Sequence, residues 1–294
     1  MLNSNNAKNN KINSSQKVEK LPLFTQTEAN SLKVIFCLLL FALIPVIMYN
    51  PYIPLGPLDN FRKDFFKTEL IISGSKYNPD GLVKAIVSND IQKVRLYTNS
   101  RMDLNELTRS GKSPLCVACE FGNTEIVSTL LQGNVNLIRR NSSDGMTPVF
   151  CAVKSNNVKI LEKLKNQGIR LDVRSPYNNG ISPLHYAASL GHDSIVAYLI
   201  KNGVDVNSVD LSGKTPLHMA ASQSNPIVVI ELINFGASLN AKSDDGKTPL
   251  DIATETKNIY IEKILKRAGA QKSAYSENET THAEQTVKNN NSIN

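Results

Sequence analysis

The sequence predicts an all-α fold. It is a solenoid of stacked units, each a β-hairpin followed by two helices, with a transmembrane helix near the amino terminus and disordered tails. Three observations predict it: a proline motif recurs at a nearly constant interval, a glycine precedes each copy, and one long apolar segment carries no charge. Because the units of a solenoid contact only their neighbours, 294 residues need no single large core.

A Ser/Thr-Pro motif begins each copy of the repeat. Its complete copies read Ser-Pro-Leu-His at 182–185 and Thr-Pro-Leu-His at 215–218. Weaker copies begin at 113, 147 and 248, so the five prolines lie 33 to 35 residues apart. Self-similarity at such a period indicates a repeat architecture.

Local chemistry explains how each unit starts. The glycine two residues before each motif accepts the positive φ that a hairpin tip requires. The Ser or Thr can cap a helix by accepting a backbone N–H, and proline at the first helical position loses no needed donor. A short first helix is therefore expected after each hairpin. The glycines are Gly111, Gly145, Gly180, Gly213 and Gly246.

A second, amphipathic helix follows in each unit. In 194–200 the apolar residues fall on one helical face. Gly203 is expected to end this helix in the left-handed conformation. Asn134 stands at that place in the second unit, and asparagine tolerates the same conformation. The apolar face consists of Ile195, Val196, Leu199 and Ile200.

A period near 33 residues with a Thr-Pro-Leu-His start resembles the ankyrin-repeat family. The resemblance implies a repeat domain over 77–270, in which the first unit lacks the motif and the last has a polar outer face. The predicted divisions are a disordered tail at 1–31, a transmembrane segment at 32–52, a linker at 53–76, repeats at 77–107, 108–141, 142–176, 177–209, 210–242 and 243–270, and a disordered tail at 271–294.

The apolar segment predicts a single-pass membrane anchor. No charge interrupts 34–49, and 32–52 comes close to the ~20 residues that span hydrocarbon. A cleaved signal peptide is one alternative, disfavoured because no Ala-x-Ala-like site follows Met48. A buried helix of a soluble domain is the other. Lysines and arginines on both sides leave the orientation open, although the longer basic tail favours exported repeats.

Charge does not favour a nucleic-acid partner. The formal net charge is +7, but basic and acidic residues alternate along the repeats without a basic and aromatic cluster. The Asn-, Lys- and Ser-rich termini bury too little apolar surface to order.

The chemically suggestive residues belong to the repeat. The three Gly-Lys-Ser/Thr tripeptides lack the earlier glycine of a phosphate-binding loop. Cys116, Cys119 and Cys151 have no second ligand pair at zinc spacing, so we expect buried structural thiols. His185 and His218 are expected to hydrogen-bond within and between units. The sequence predicts no catalytic, cofactor-binding or metal site, and no enzyme.

The resemblance implies a protein-binding surface on the concave face, made by the hairpin tips and the exposed flanks of the first helices. Several apolar residues there are what a contact patch requires. Two alternatives stay open: a regulatory or targeting arm of an enzyme or effector system with catalysis elsewhere, and an array without a partner. The partner protein and the oligomeric state also stay open. The candidate residues are Arg109, Lys112, Met146, Asn178, Ile181, Leu211, Lys214, Asp244 and Lys247 on hairpins, and Glu120, Phe121, Lys154, Leu190 and Gln223 on helices.

Overall fold

The structure, a computed structural model, describes Gly56 and residues 59–273. The predicted transmembrane segment 32–52, the tail 1–31 and residues 274–294 lie outside the described residues. Between 59 and 273 no helix is long and apolar enough to cross a membrane. The helices described are α1 Asp59–Ile72, α2 Pro79–Val87, α3 Ile91–Asn99, α4 Pro114–Glu120, α5 Thr124–Leu131, α6 Pro148–Lys154, α7 Val158–Asn166, α8 Pro183–Leu190, α9 Asp193–Lys201, α10 Pro216–Ala221, α11 Pro226–Asn234, α12 Pro249–Glu255 and α13 Ile259–Arg267.

From α2 to α13 the helices form six pairs that stack in chain order. The first helices contact one another in the series α2, α4, α6, α8, α10 and α12. The second helices do the same in the series α3 to α13. One apolar core runs between the two rows, and Leu217, expected inside it, is fully buried. This arrangement confirms the predicted solenoid.

The amino-acid composition of the helices explains how the first and second helices form two packed rows. Proline starts each helix of the first row and offers a φ already suited to the first helical turn. Ala187 and Ala188 of α8 are fully buried, so neighbouring first helices can approach closely. In α9, Ile195, Val196 and Leu199 of the predicted apolar face are buried, whereas the fourth member, Ile200, is half-buried.

The prediction of β-hairpins is wrong in one respect, because residues 59–273 contain no strand. The chain reverses direction before each first helix through a turn. The Asp210 N–H donates to the Lys214 carbonyl at 2.9 Å, which closes one turn. Between units, the Asp244 N–H donates to the Ser212 carbonyl at 3.0 Å. Single bonds of this kind do not build a ladder. Gly213, with φ of +70°, adopts the positive φ that the turn requires.

Capping by the Ser/Thr of the motif is only partly as predicted. The hydroxyls of Ser182 and Thr248 accept the N–H of the residue three positions on, at 3.4 and 3.3 Å. Ser113 and Thr147 make no such bond. In the fourth and sixth units the side chain of His185 or Asp251, the fourth residue of the motif, accepts the backbone N–H of the capping residue. In the second and third units the fourth motif residue is Cys116 or Phe150.

In the third to sixth units the second helices end at a left-handed glycine, but in the second unit the predicted left-handed residue is missing. Gly203 has φ of +87°, and the following Val204 N–H reaches the Leu199 carbonyl at 3.1 Å. Asn134 is absent from the residues with positive φ, so the expectation for it was wrong. The Val135 N–H bonds instead to the Gly133 carbonyl at 2.9 Å. The second unit therefore closes by a tighter turn than the others.

Parts of the predicted linker and of the predicted disordered tail pack against the array. The predicted linker 53–76 contains α1, whose Phe66 and Leu70 are buried beside the first unit. A first repeat has no preceding neighbour, and α1 covers the apolar side that would face water. In the predicted tail 271–294, the buried Ser273 donates its N–H to Asp251 Oδ2 at 3.0 Å. Residues 271–273 therefore extend the last unit.

Candidate protein-binding surface

The fourteen candidate residues lie on the turns that precede the first helices and at the carboxyl ends of those helices. We call them the hairpin surface. Glu120, Lys154 and Leu190 are the last residues of α4, α6 and α8. Apolar side chains project from this surface at several levels of the stack: Phe121 is 57% exposed, Leu190 40% and Leu211 71%. Met146 and Ile181 are half-buried.

Three of the candidates form one ionic cluster across the second and third units. Glu120 accepts Lys112 Nζ at 3.1 Å and Lys154 Nζ at 2.5 Å. Partial burial raises the pKa of Glu120, but the hydrogen bonds from the two lysines outweigh it, so the pKa lies below its ordinary value. The bond to Glu120 in turn raises the pKa of Lys154. The cluster keeps its charges over the physiological pH range.

The last unit repeats half of this arrangement. Lys247 Nζ lies 2.8 Å from Glu255 Oε2, and the two residues are separated by eight positions, like Lys112 and Glu120. Sequence reasoning identified Lys247 and missed Glu255. The signal was available, because Glu255 follows its motif at the same distance as Glu120 does.

An aromatic pair packs between the third and fourth units, with Phe150 buried and Tyr186 half-buried beside the hairpin surface. The rings of Phe150 and Tyr186 are 5.9 Å apart between centroids and inclined at 50°. Burial raises the pKa of the half-buried Tyr186. Tyr177, largely exposed, covers Gly145 of the preceding turn. Sequence reasoning missed both tyrosines, although Tyr186 directly follows the motif histidine.

The remaining candidates do not converge on one pocket. Arg109 Nε lies 3.6 Å from Asp80 Oδ2 of the first unit. Leu211 covers Gly180 of the preceding turn. The set extends from the second to the sixth unit, so its geometry is that of an extended contact face rather than a cavity for a small molecule.

The motif histidines join adjacent units, as predicted. His185 Nδ1 accepts the Ser182 N–H at 3.3 Å, so Nε2 carries the proton and donates to the Lys214 carbonyl at 2.9 Å. His218 repeats this with Thr215 at 3.0 Å and the Lys247 carbonyl at 3.1 Å. Burial lowers the pKa of both rings, which are therefore neutral.

The three described cysteines are buried and unpaired. Burial raises the pKa of Cys119 well above its usual range, and a hydrogen bond with Cys116 does the same for Cys151. Protonated, buried thiols are poor nucleophiles and poor metal ligands. Within 59–273, no three His, Cys, Asp or Glu side chains are grouped closely enough to hold a metal ion.

Comparison with known proteins identifies the family. A family model described as "Ankyrin repeats (3 copies)" matches residues 82–175, 137–210 and 184–276. These overlapping matches cover more than half of the chain, and together with the stacked helix pairs they show that the protein belongs to the ankyrin-repeat family.

Several curated proteins are similar over the repeats. The chain is 31% identical to alpha-latrocrustotoxin-Lt1a of Latrodectus tredecimguttatus over 159 residues, 49% of this chain and 11% of the toxin. It is 30% identical to the probable 26S proteasome regulatory subunit p28 of Saccharomyces cerevisiae over 132 residues, 44% of this chain and 58% of that protein. It is also 30% identical to the putative ankyrin repeat protein FPV031 of Fowlpox virus, over 44% of this chain and 38% of that protein. The chain spans less than two thirds of each.

Proposed function

We propose that this ankyrin-repeat protein binds a protein partner through the hairpin surface, without catalysing a reaction itself. The observation that carries the proposal is the exposure of Phe121, Leu190 and Leu211 on one face. Large apolar side chains in water are unfavourable, and apolar anchors within a polar surround are typical of protein interfaces. Neighbouring charges are already paired, as in the cluster around Glu120, so the partner would add its own apolar contacts.

Charge substitution on this face tests the proposal. We expect Phe121→Glu or Leu190→Glu in the full chain to abolish capture of the proteins retained by the unchanged chain, because a carboxylate would be desolvated in the interface. Lys201→Glu and Glu231→Lys, on the second helices α9 and α11, are the matched controls. Thermal unfolding verifies that each variant is folded. Equal loss of capture in the controls would mean that the binding face is elsewhere.

We further propose that residues 32–52 anchor the protein in a membrane as a single-pass helix. Support comes from the uncharged stretch 34–49 and its length. The longer basic amino-terminal tail favours keeping that tail in the cytoplasm and exporting the repeats. Alkaline extraction of membranes tests the anchor, and release of the full chain would refute it. Protease added to intact cells tests the orientation, since repeats that survive until the membrane is opened cannot be exported.

A second candidate function is the regulatory arm of an enzyme. The similarity to a protein named as a proteasome regulatory subunit favours considering it. Limited proteolysis of the full chain distinguishes the two candidates. An interaction module leaves one resistant fragment that begins near α1, because Phe66 and Leu70 hold α1 to the array. A second resistant fragment would indicate a further domain and favour the enzyme-associated function.

A further inference from the structure

Asparagine side chains join most of the neighbouring units at their carboxyl ends. Asn207 Nδ2 donates to the Gly236 carbonyl at 3.3 Å, and its Oδ1 accepts the Ser238 N–H at 2.7 Å. Asn240 accepts the Gln271 N–H at 2.7 Å, and Asn105 donates to the next unit's backbone at 2.9 Å. We call Asn105, Asn207 and Asn240 the bridging asparagines.

The third unit lacks this bridge on both of its sides. At the junction with the second unit the position is occupied by Ile138, whose side chain cannot hydrogen-bond and is 68% exposed. At the junction with the fourth unit it is occupied by Asp172, which accepts Arg170 Nε at 3.0 Å and Nη2 at 2.7 Å instead. No asparagine of this kind therefore joins the second unit to the third or the third to the fourth. Between the third and fourth units, Lys165 Nζ donates to Asn202 Oδ1 instead.

A cleft of about 510 Å³ lies at the first of these junctions. Its volume is within the ~300–1,000 Å³ of typical ligand sites. The second junction without a bridge holds a smaller cleft of about 250 Å³. The walls of the larger cleft are mainly apolar. They are formed by Leu137, Ile138, Val149, Ile169 and Val173.

Two arginines complete the lining of the larger cleft. Arg139 and Arg140 are both exposed, and neither forms an ion pair with a carboxylate in the described part of the chain. The corresponding residues of the fourth unit are Ser208 and Val209, so the adjacent arginines are a property of this junction. A guanidinium presents a planar pair of donors that matches a carboxylate. Two unpaired guanidinium groups beside an apolar cleft complement an anion with an apolar body.

We propose that this cleft binds a carboxylate carried on an apolar chain. The apolar body would pack against Ile138 and Ile169, and the carboxylate would pair with Arg139 and Arg140. Such a ligand has two sources, a free medium-chain fatty acid or the carboxyl-terminal residue of a protein that ends in an apolar side chain. The cleft shares no residue with the hairpin surface, so the proposal does not depend on the function proposed above.

Isotope-labelled methyl groups in the full-length protein provide the test. Octanoate, below its micelle concentration, is titrated against octanol of equal chain length. A short peptide ending in leucine is titrated with a free and an amidated carboxyl terminus. We expect the carboxylate forms to shift the methyl resonances of Ile138, Val149 and Ile169, and the neutral forms to bind at least about tenfold more weakly, because charge-assisted hydrogen bonds are lost.

Variants locate the site. Arg139→Gln combined with Arg140→Gln should weaken carboxylate binding about tenfold or more, while Arg267→Gln on α13 should leave it unchanged. Ile138→Asn should restore the missing bridge, narrow the cleft and reduce binding. Thermal unfolding confirms that each variant is folded, so loss of binding can be assigned to the site.

Each outcome decides the proposal. Binding of octanoate supports it with a free amphiphile as ligand, and binding of the free peptide alone supports it with a protein carboxyl terminus. Equal binding of octanol and octanoate overturns carboxylate recognition. Absence of methyl shifts with every probe, or shifts unaffected by the arginine substitutions, overturns the site.

Discussion

The fourth residue of the repeat motif controls how one unit is joined to the next. His185 and His218 bind their own cap and the turn of the following unit. Asp251 replaces the histidine in the last unit and accepts the Ser273 N–H. Phe150 stands there in the third unit and cannot accept a bond. The buried hydroxyl of Thr147 consequently has no partner among the described residues.

The unsatisfied hydroxyl gives a first prediction. Thr147→Val should leave the free energy of unfolding unchanged or raise it by up to about 1 kcal/mol, because it removes a buried polar group without a partner. The matched control is Thr215→Val, whose hydroxyl lies 2.8 Å from His218 Nδ1. It should lose about 1 kcal/mol, since it removes a buried hydrogen bond and leaves His218 Nδ1 only the Thr215 N–H. Urea unfolding measures both, and similar losses in the two variants would contradict the assignment.

The motif histidines make stability depend on pH. Burial lowers the pKa of His185 and His218 in the folded protein below the ordinary 6.5, so the unfolded chain binds more protons between those values. Stability should therefore be fully present above pH 6.5 and fall as the pH drops towards the folded pKa. Replacing both with glutamine should flatten the pH dependence of the melting temperature. His192→Gln is the control, because His192 caps no helix with its side chain. An equally steep dependence in the double variant would exclude the histidines as its cause.

At the scale of elements, helices are stabilised mainly by the neighbours they pack against. The first helices are only six to nine residues long, and helices of that length are marginal in isolation. Helix α1 also depends on its neighbours, because it buries Phe66 and Leu70 only by packing at the start of the array. A single buried side chain in a first helix should therefore contribute strongly to stability.

Truncation of Leu217 tests this packing. Leu217→Ala should cost about 2–5 kcal/mol, because it removes fully buried methyl groups between neighbouring units and leaves a cavity. Denaturant unfolding of the full chain measures the loss. Leu211→Ala is the control, since its side chain is largely exposed and should change stability by less than about 0.5 kcal/mol. A Leu217 loss as small as that of the control would contradict the packing.

At the scale of the whole described array, stability is a sum of unit and junction contributions. The junctions of the third unit lack a bridging asparagine, and its motif lacks the histidine. These junctions are therefore expected to be the weakest from the second unit to the sixth. The cleft of about 510 Å³ lies at one of these two junctions, where the bridging asparagine is missing.

Hydrogen exchange of the native protein should reveal this weakness. Backbone amides of α6 and α7 should be less protected than those of α8, α9 and α10, because local opening needs fewer contacts to break. Ile138→Asn should raise the protection of α6 by supplying the missing bridge, and Ile227→Asn on the exposed side of α11 is the control. Uniform protection across the units would contradict the uneven junctions.

Much of the fold could be predicted from the sequence because its determinants are local and periodic. Proline at the helix start, glycine at the turn and the apolar face of α9 act within a few residues, and they recur every 33 to 35 positions. The same repeat period correctly predicted that Leu217 is buried and that the motif histidines hydrogen-bond between units. The single positions that break the pattern, such as Asn134, were predicted less well, since they were assigned by analogy with better units.

The remaining features required the folded chain because they arise between side chains about thirty residues apart. In the ionic cluster, Lys154 reaches Glu120 from 34 positions away and joins two units, and no spacing within one unit predicts that contact. Packing of α1 depends on the first repeat having an uncovered side. The cleft beside Ile138 lies at a junction that lacks the asparagine bridge present at other junctions. The periodic pattern specifies each unit, whereas contacts across the junctions depend on which two units meet.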